Sequence, residues 1–232
     1  MAHSGKKYKA MISKTEVGKV FTLSEAITFL KDNSSRKFDE TVEVAVNLNV
    51  DPRAADQNVR GMVAMPFGTG KTARVAVFAK GKAADEALAA GADFVGAEDL
   101  ADKITSGSVE FEICIASPDM MGVVGRLGKV LGPKGLMPNP KLGTVTPNVA
   151  AAVKNFKAGQ VEYRTDKAGI VHAGLCKLSF EKEKIEGNVK AFIGAIIRAK
   201  PTGVKGSYLK SATISSTMGL GLKLDTAEVF GF

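Results

Sequence analysis

The sequence predicts a mixed α+β and α/β protein with two domains. One is a split antiparallel-sheet α+β domain that holds both ends of the chain, and the other is an inserted three-layer α/β domain. Three observations predict this: apolar residues alternate at every second position near both chain ends, strands and helices alternate in the middle, and glycines stand at both junctions. The predicted boundaries are 1–67 plus 159–232 for the split domain and 68–158 for the insert.

The N-terminal segment contains one predicted helix and one predicted strand. Apolar residues recur at helical spacing between Thr22 and Asn33, with Thr22 or Ser24 available as the N-cap. From Thr41 to Asn49, apolar side chains alternate strictly with polar or small ones, which is typical of a half-buried strand. Because one helix and one strand cannot enclose a core, we expect their partners elsewhere in the chain.

The middle of the chain alternates apolar strands with helices from about Arg74 to Lys157. Strands are predicted at RVAVFA, DFVG and FEICIA, and helices at KAADEALAAGA, EDLADKITSG, PDMMGVVGRLGKVLG and NVAAAVKNFK. Since apolar strands of this kind need helices on both faces of their sheet, the pattern predicts a Rossmann-like α/β domain.

The C-terminal segment returns to two-residue alternation. The strands QVEYRT and IVHAGLCKLSF are separated by turn formers at 166–169, which predicts a β-hairpin. A helix is predicted from about Glu183 to Ala199, ended by Pro201, and YLKSATISST is the last predicted strand.

Glycines mark both junctions, where a hinge is expected. Gly68 and Gly70 lead into the insert and Gly159 leads out of it. The string GTGKT that begins at Gly68 also looks like the end of a phosphate-binding loop. That interpretation fails because Met65 stands where the motif requires glycine, and because a strand rather than a helix follows.

The net charge of +8, from 32 Lys and Arg against 24 Asp and Glu, favours a polyanionic partner such as nucleic acid. The insert is polarised: residues 83–119 carry nine acidic side chains and one basic, whereas residues 120–161 carry six basic and none acidic. Its basic half includes the Gly- and Pro-rich segment GKVLGPKGLMPNPKLGTVTP. This segment is either a solvated connector or an arm that contacts phosphates.

Catalytic, metal and membrane signals are weak. His3 and His172 have no obvious nucleophile or acid partner, and Cys114 and Cys176 lie in apolar runs typical of core strands. We therefore expect no enzymatic activity, no metal and no cofactor. No apolar run approaches the roughly 18 residues of a membrane span, so a cytoplasmic location is expected by default.

Three segments offer cations, apolar side chains or small hydroxyl-bearing residues of the kind that RNA binding uses. Arg36, Lys37 and Phe38 precede the first predicted strand, although Phe38 is equally suited to the core. The turn segment 164–169 brings two cations together, and the run 215–219 offers hydroxyls, Met and Gly to a sugar edge. Polar residues are also common at hairpin tips and in edge strands, so these patterns alone leave the question open.

At these residues the chain closely resembles the bacterial L-one family of large-subunit ribosomal proteins, from about Lys6 to the C-terminus. The resemblance is carried by KFDETVEV (37–44), DPRAADQNVRG (51–61), AGADFVG (90–96), LGPKGLMPNPKLGTV (131–145), EYRTDKAGIVHA (162–173), KGSYLKS (205–211) and STMG (216–219). It implies a sheet domain that contains both termini and carries an inserted α/β domain.

The resemblance also implies a function in the ribosome. Members bind the rRNA of the mobile side stalk near the tRNA exit site, help to release deacylated tRNA, and repress translation of their own mRNA through a mimic of the rRNA site. Other components of the large subunit are further expected partners, and no membrane is. The implied RNA-binding residues are Lys37, Phe38, Thr41, Arg164, Asp166, Lys167, Gly169, Thr217, Met218 and Gly219, with secondary contacts at Arg36, Lys134 and Lys141.

Two hypotheses from other classes stand beside this one. The α/β insert could hold a nucleotide in an enzyme, which binding of labelled ATP or GTP would reveal. The chain could also be a scaffold for proteins, with associations that resist RNase and depend only weakly on salt.

Overall fold

The structure is a computed structural model that describes residues 5–15, 18–34, 37–54, 56–204 and 206–231. It has a mixed α+β architecture with several sheets, and the chain divides into two compact units. The first unit comprises Met1–Lys71 and Val161–Phe232, and the second comprises Thr72–Gln160. That each unit is a domain able to fold alone stays a prediction.

The helices and strands follow one another in this order: α1 (Lys6–Ile12), β1 (Val20–Phe21), α2 (Leu23–Asp32), β2 (Thr41–Leu48), β3 (Arg60–Ala64), β4 (Val75–Phe78), α3 (Lys82–Ala89), β5 (Phe94–Gly96), α4 (Glu98–Thr105), β6 (Ile113–Ala116), α5 (Met121–Arg126), α6 (Gly128–Leu131), α7 (Val149–Lys157), β7 (Gln160–Arg164), β8 (Ile170–Lys177), α8 (Lys182–Arg198), β9 (Leu209–Ser216), β10 (Leu222–Leu224) and α9 (Thr226–Phe230). Short 3-10 helices cover Pro118–Met120 and Pro140–Leu142.

The first unit is built on a five-stranded sheet with the order β1-β10-β9-β2-β8. The central strand β2 pairs antiparallel with both β8 and β9, as the alternating patterns predict. The sheet is not wholly antiparallel, however, because β1 pairs parallel with β10. The prediction missed this pair because a two-residue strand is too short to show alternation.

The core of the first unit lies on one face of this sheet. The inward side chains of β2, which are Val42, Val44, Val46 and Leu48, are each at most 1% exposed. Helices α2 and α8 cover the same face with their apolar stripes. Helix α2 starts at Thr22, whose hydroxyl accepts a hydrogen bond from the Glu25 amide while the Glu25 carboxylate accepts one from the Thr22 amide.

The predicted hairpin between QVEYRT and IVHAGLCKLSF is wrong in its pairing. Strand β7 forms a two-stranded sheet with β3, whereas β8 joins the five-stranded sheet. The only described bridge between the two segments is Thr165 with Val171. The turn itself is closed, since the Asp166 amide donates to Ile170 O at 2.9 Å. The Thr165 amide, however, donates to Val59 O at 2.9 Å, and this bond directs β7 to β3.

The second unit contains a three-stranded parallel sheet with the order β5-β4-β6. Strand β4 is completely buried, which requires cover on both faces. Ala76 and Phe78 pack with Leu100 and Ile104 of α4, while α3 and α7 contact β4 and each other. The strands predicted for this stretch are present, and so are its predicted helices apart from PDMMGVVGRLGKVLG.

One predicted helix in the second unit is broken. PDMMGVVGRLGKVLG forms a 3-10 turn, α5 and α6, with Leu127 outside helical geometry between the last two. The glycines at 122, 125 and 128 explain the break, since each lowers the helix propensity of the segment by about 1 kcal/mol relative to alanine.

Within the described ranges, no helix combines the length and apolar character that a membrane crossing requires. The same residues contain no group of three or more His, Cys, Asp or Glu side chains placed to hold a metal ion.

Candidate nucleic-acid interface

The predicted contact residues Thr217, Met218 and Gly219 lie in a tight turn at the end of β9. The Gly219 amide donates to Ser216 O at 3.0 Å, which closes the turn and leaves Thr217 and Met218 at its two central positions. A Cβ atom on Gly219 would overlap the Ser216 hydroxyl, so a larger residue at the last position requires that hydroxyl to rotate away. The turn therefore presents Met218 outward, where the side chain is 46% exposed.

Thr217 fastens this turn to the start of β2. Its hydroxyl accepts a hydrogen bond from the Thr41 amide at 2.9 Å and donates to the Thr41 carbonyl at 3.4 Å, while the Thr217 amide donates to the same carbonyl at 3.1 Å. The side chain thus extends the β2–β9 ladder beyond its last backbone pair. Both threonines act first as parts of the scaffold.

The buried side chain of Glu40 holds the backbone amide of Met218. Glu40 is only 2% exposed, and its Oε2 accepts from the Met218 amide at 3.1 Å while its Oε1 accepts from the Ser34 hydroxyl at 3.4 Å. Its carbonyl accepts from the Leu178 amide at 2.8 Å. One residue therefore joins the end of α2, the start of β2, the end of β8 and the turn after β9.

Phe38 lies two residues before Glu40 and is 53% exposed, which excludes the core interpretation left open by the sequence. Lys37 beside it is also exposed. A cavity of about 420 Å³ borders this site, lined by Lys31, Ser34, Phe38, Asp39, Glu40, Leu178 and Ser179. Two exposed apolar side chains, Phe38 and Met218, are thus carried by segments that Glu40 connects.

The second predicted group surrounds the turn between β7 and β8. Asp166 Oδ1 accepts hydrogen bonds from the Ala168 amide at 2.8 Å and the Ile170 amide at 2.9 Å. The Ile170 bond is the main reason why the pKa of Asp166 is lowered, with a smaller contribution from His172, whose Nε2 lies 3.5 Å from Oδ2. The carboxylate therefore stays charged and shapes the turn.

Gly169 completes the same turn in the left-handed region, with φ of 77°. A Cβ atom there would also lie 3.3 Å from Val50 O. Arg164 and Lys167 are exposed beside it, on a cavity of about 420 Å³. The cavity is lined by Pro52, Asn58, Arg60, Arg164, Thr165, Asp166 and Lys167.

The structure does not bring the ten predicted contact residues into one cluster. Thr41 pairs with Lys177 at one end of β2, whereas the Leu48 amide donates to Gly169 O at the other end. Seven residue steps along a strand span roughly 23 Å. The residues therefore form two groups, which we call the Thr41 end and the Gly169 end of the sheet.

The outer face of the sheet joins these two ends. Register places Ala45 between Thr213 and His172, and places Glu43 between Ser215 and Gly174. The outward side chains of β2, β8 and β9 are small or polar and at least partly exposed: Glu43, Ala45, Asn47, His172, Gly174, Ser211, Thr213 and Ser215. A shallow, mostly hydrophilic platform thus runs from one end to the other.

The structure describes only part of the three predicted secondary contact residues. Arg36 lies outside the described residues, and of Lys141 only the backbone is described, in the 3-10 helix Pro140–Leu142. Lys134 is exposed in the second unit, at the tip of the Gly- and Pro-rich segment. The later part of that segment packs inward, since Leu142 and Thr144 are buried.

All three predicted hinge glycines have positive φ: 70° at Gly68, 71° at Gly70 and 100° at Gly159. The buried Asn188 holds the first of them, because its Nδ2 donates to Gly68 O at 2.9 Å and its Oδ1 accepts from the Phe67 amide at 3.2 Å. No helix follows Gly70, which agrees with the rejection of the phosphate-loop interpretation.

Sequence reasoning missed two residues of the Thr41 end. Nothing in the sequence pattern points to Glu40, because a carboxylate does not suggest RNA contact and its burial depends on residues far away in the chain. Lys177 was treated only as part of a strand, yet its Nζ donates to Asp39 O at 3.0 Å and lies 3.4 Å from Thr41 Oγ1.

The chain is basic, exposed cations lie at both ends of its five-stranded sheet, and the outer face of that sheet is polar. These are features of a nucleic-acid-binding protein. Comparison with protein-family models matches residues 30–220 to the ribosomal protein L1p/L10e family, and the chain belongs to that family. It is therefore an rRNA-binding protein of the large ribosomal subunit, from a family of structural RNA-binding proteins rather than enzymes. Its location is the cytoplasmic ribosome.

Proposed function

We propose that the chain binds large-subunit rRNA through the two ends and the outer face of the five-stranded sheet. The observation that carries this proposal is the construction of the Thr41 end, where Thr217 and Glu40 hold the exposed Met218 beside the segment of Phe38. These hydrogen bonds fix the backbone that carries Met218, so its exposed side chain is presented from a defined position, as a contact at an interface centre requires.

The residues of this surface have different roles in the proposed RNA binding. Lys37, Arg164 and Lys167 are exposed cations suited to phosphates, and Phe38 and Met218 offer faces to bases or sugars. Thr41, Thr217, Asp166, Gly169 and Gly219 act mainly by setting the shape of the two ends. Arg36, Lys134 and Lys141 remain proposed secondary contacts.

The outer face supports a single continuous RNA site. Its hydroxyls can pair with 2′-OH groups, and its glycine and alanine positions let a sugar–phosphate backbone approach the sheet closely. An RNA that spans roughly 23 Å would touch both cationic ends at once.

On the same basis we propose the finer functions. The bound RNA is the mobile side stalk near the tRNA exit site, where the protein assists release of deacylated tRNA. The same surface binds a mimic of that site in the leader of its own mRNA and represses translation. The side stalk and the mRNA leader share phosphate and 2′-OH chemistry, so one surface serves both.

We further propose that the two compact units are domains: a split α+β domain and an inserted, three-layer Rossmann-like domain. Gly68, Gly70 and Gly159 form the hinge between them. Because Asn188 holds Gly68, the flexible part of the incoming linker begins after it.

The test is to crosslink the purified full chain to total rRNA and map the bound nucleotides. The proposal expects a single large-subunit segment in the side stalk, with binding that RNase removes and that weakens steeply with salt. Crosslinks scattered over the rRNA, or association that resists RNase and salt, would favour the scaffold hypothesis instead. Micromolar binding of labelled ATP or GTP would favour the enzyme.

A further inference from the structure

The N-terminal helix α1 is a basic element that the proposed RNA surface does not include. Residues 1–20 contain five lysines (6, 7, 9, 14 and 19) and one acidic residue, Glu16. In the described part of this segment, Lys6, Lys9, Lys14 and Lys19 are all exposed. This is a concentrated positive charge on a chain whose partner is a polyanion.

Helix α1 is docked on the first unit by its apolar side. Met11 and Ile12 are partly buried against the core of that unit, and Tyr8 precedes them on the same side of the helix. Lys6 and Lys9, three residues apart, point to solvent from another side. The lysines are therefore presented by an anchored element rather than by a free tail.

The two outward lysines are not neutralised within the described chain. Neither Lys6 nor Lys9 has an ion-pair partner among the described residues, and α1 itself has no acidic side chain. Like charges three positions apart on a helix repel each other, and seven residues make a marginal helix. A polyanion bound along this side would relieve that repulsion.

A continuous series of contacts places the end of this segment beside the Thr41 end of the sheet. Lys14 Nζ donates to Asn33 Oδ1 at 2.7 Å, at the C-terminus of α2. The next residue, Ser34, donates to Glu40 at 3.4 Å, and Glu40 accepts from the Met218 amide at 3.1 Å. The C-terminal end of the lysine segment, at Lys14, thus borders the RNA surface on the side of α2, and α1 precedes it by one residue.

We propose that α1 is a second RNA-contacting element, in which Lys6 and Lys9 bind backbone phosphates of the RNA that lies on the Thr41 end. This inference rests on the proposed function and extends its surface beyond the sheet. Phosphate contacts of this kind add affinity and orientation without reading sequence.

The test compares two charge-matched double variants of the full chain. Lys6→Gln with Lys9→Gln removes the proposed contacts, whereas Lys82→Gln with Lys103→Gln removes two exposed lysines from α3 and α4 of the second unit. Affinity for protein-free large-subunit rRNA is measured between roughly 50 and 200 mM salt, together with thermal unfolding.

We expect the first variant to reduce the slope of log K against log salt by about 1.5, since each phosphate contact contributes about 0.7 to 0.9. The second variant should leave the slope unchanged, and both should melt like the unmodified chain. Equal slopes for the two variants would overturn the inference.

A third variant separates this inference from the proposed function. If Met218→Ala weakens binding while the α1 variant does not, the sheet surface stands and the contact by α1 is wrong. If the unmodified chain does not bind the rRNA, both proposals fail.

A charge reversal, Lys6→Glu with Lys9→Glu, should weaken rRNA binding more than the neutral variant does. If the reversed variant binds as well as the neutral one, the contact by α1 is wrong.

Discussion

The hydroxyl of Thr217 accepts a hydrogen bond from the Thr41 amide at 2.9 Å, so a side chain supplies the bond that the next backbone carbonyl of a longer strand would have made. This pairs the end of β9 with the start of β2 across 176 residues of sequence. The relationship gives Thr217 a positioning role in the proposed site, where we propose that Met218 contacts the RNA.

Replacing Thr217 separates these roles. Thr217→Val removes the hydroxyl and leaves the Thr41 amide without this partner, whereas Thr217→Ser keeps the hydrogen bond. We expect the valine variant to lose about 1 kcal/mol of unfolding free energy and more than about 1 kcal/mol of rRNA binding, and the serine variant to lose little of either. Urea unfolding and filter binding measure the two. Equal binding by all three proteins would contradict the positioning role.

Glu40 offers a second test of the same end. Glu40→Gln retains an oxygen that can accept from the Met218 amide and a nitrogen that can donate to Ser34, whereas Glu40→Leu has no acceptor for that amide. The leucine variant should be less stable by about 1 kcal/mol, the net contribution of a hydrogen bond whose donor is only partly buried. Its rRNA affinity should fall with it. A leucine variant as stable as the glutamine variant would show that Glu40 does not hold the turn.

Gly169 tests the other end of the sheet. Gly169→Ala forces a side chain into the left-handed region and against Val50 O, so we expect a loss of about 1 to 2 kcal/mol of stability. The control is Gly122→Ala in α5, where a Cβ has open space and helix propensity improves. Thermal unfolding should rank the alanine at 122 above the unmodified chain and the alanine at 169 below it. The opposite ranking would contradict the described turn.

Two buried tyrosines give a prediction for alkaline pH. The Tyr208 hydroxyl has no hydrogen-bond partner in the described part of the chain, whereas Tyr163 OH donates to Ala195 O at 3.5 Å. Tyr208→Phe should therefore be neutral or stabilising by about 1 kcal/mol, and Tyr163→Phe should be slightly destabilising.

Burial, aided by Tyr163, raises the pKa of Tyr208 to about 12 from its ordinary value of about 10. A raised pKa means that the folded state favours the neutral hydroxyl of Tyr208. The stabilisation of the folded state that results from this preference is fully present below pH 10 and is lost as the pH rises toward 12. Across that window the unmodified chain should lose stability more steeply than Tyr208→Phe. Parallel pH profiles of unfolding free energy would show that Tyr208 does not titrate in this way.

The longer elements of the fold were predictable because their patterns are local. The alternation in β2 and the apolar stripe of α8 each repeat several times within one element, and both elements lie where they were expected. The helix α1 and the strands β1 and β10 were missed because seven, two and three residues are too few to establish a period.

The residues of the candidate site stay a prediction, and their arrangement could not be predicted from the sequence. The segment 164–169 has the local pattern of a hairpin tip, and only the bond from the Thr165 amide to Val59 O, directly before β3, shows which strand β7 joins. The role of Glu40 depends on contacts with Ser34 and Met218, the second of which is 178 residues away. No spacing rule in the sequence brings such residues together.

The central claim, that the Thr41 end of the sheet binds large-subunit rRNA, is tested most directly by placing a photoreactive side chain at Met218. The matched control carries the same group at Leu88 in α3, which is 56% exposed and lies among acidic residues of the second unit. The account predicts an efficient crosslink from position 218 to one segment of large-subunit rRNA, lost at high salt, and little from position 88. Equal crosslinking from both positions, or none from position 218 in chain that binds the rRNA, would contradict it.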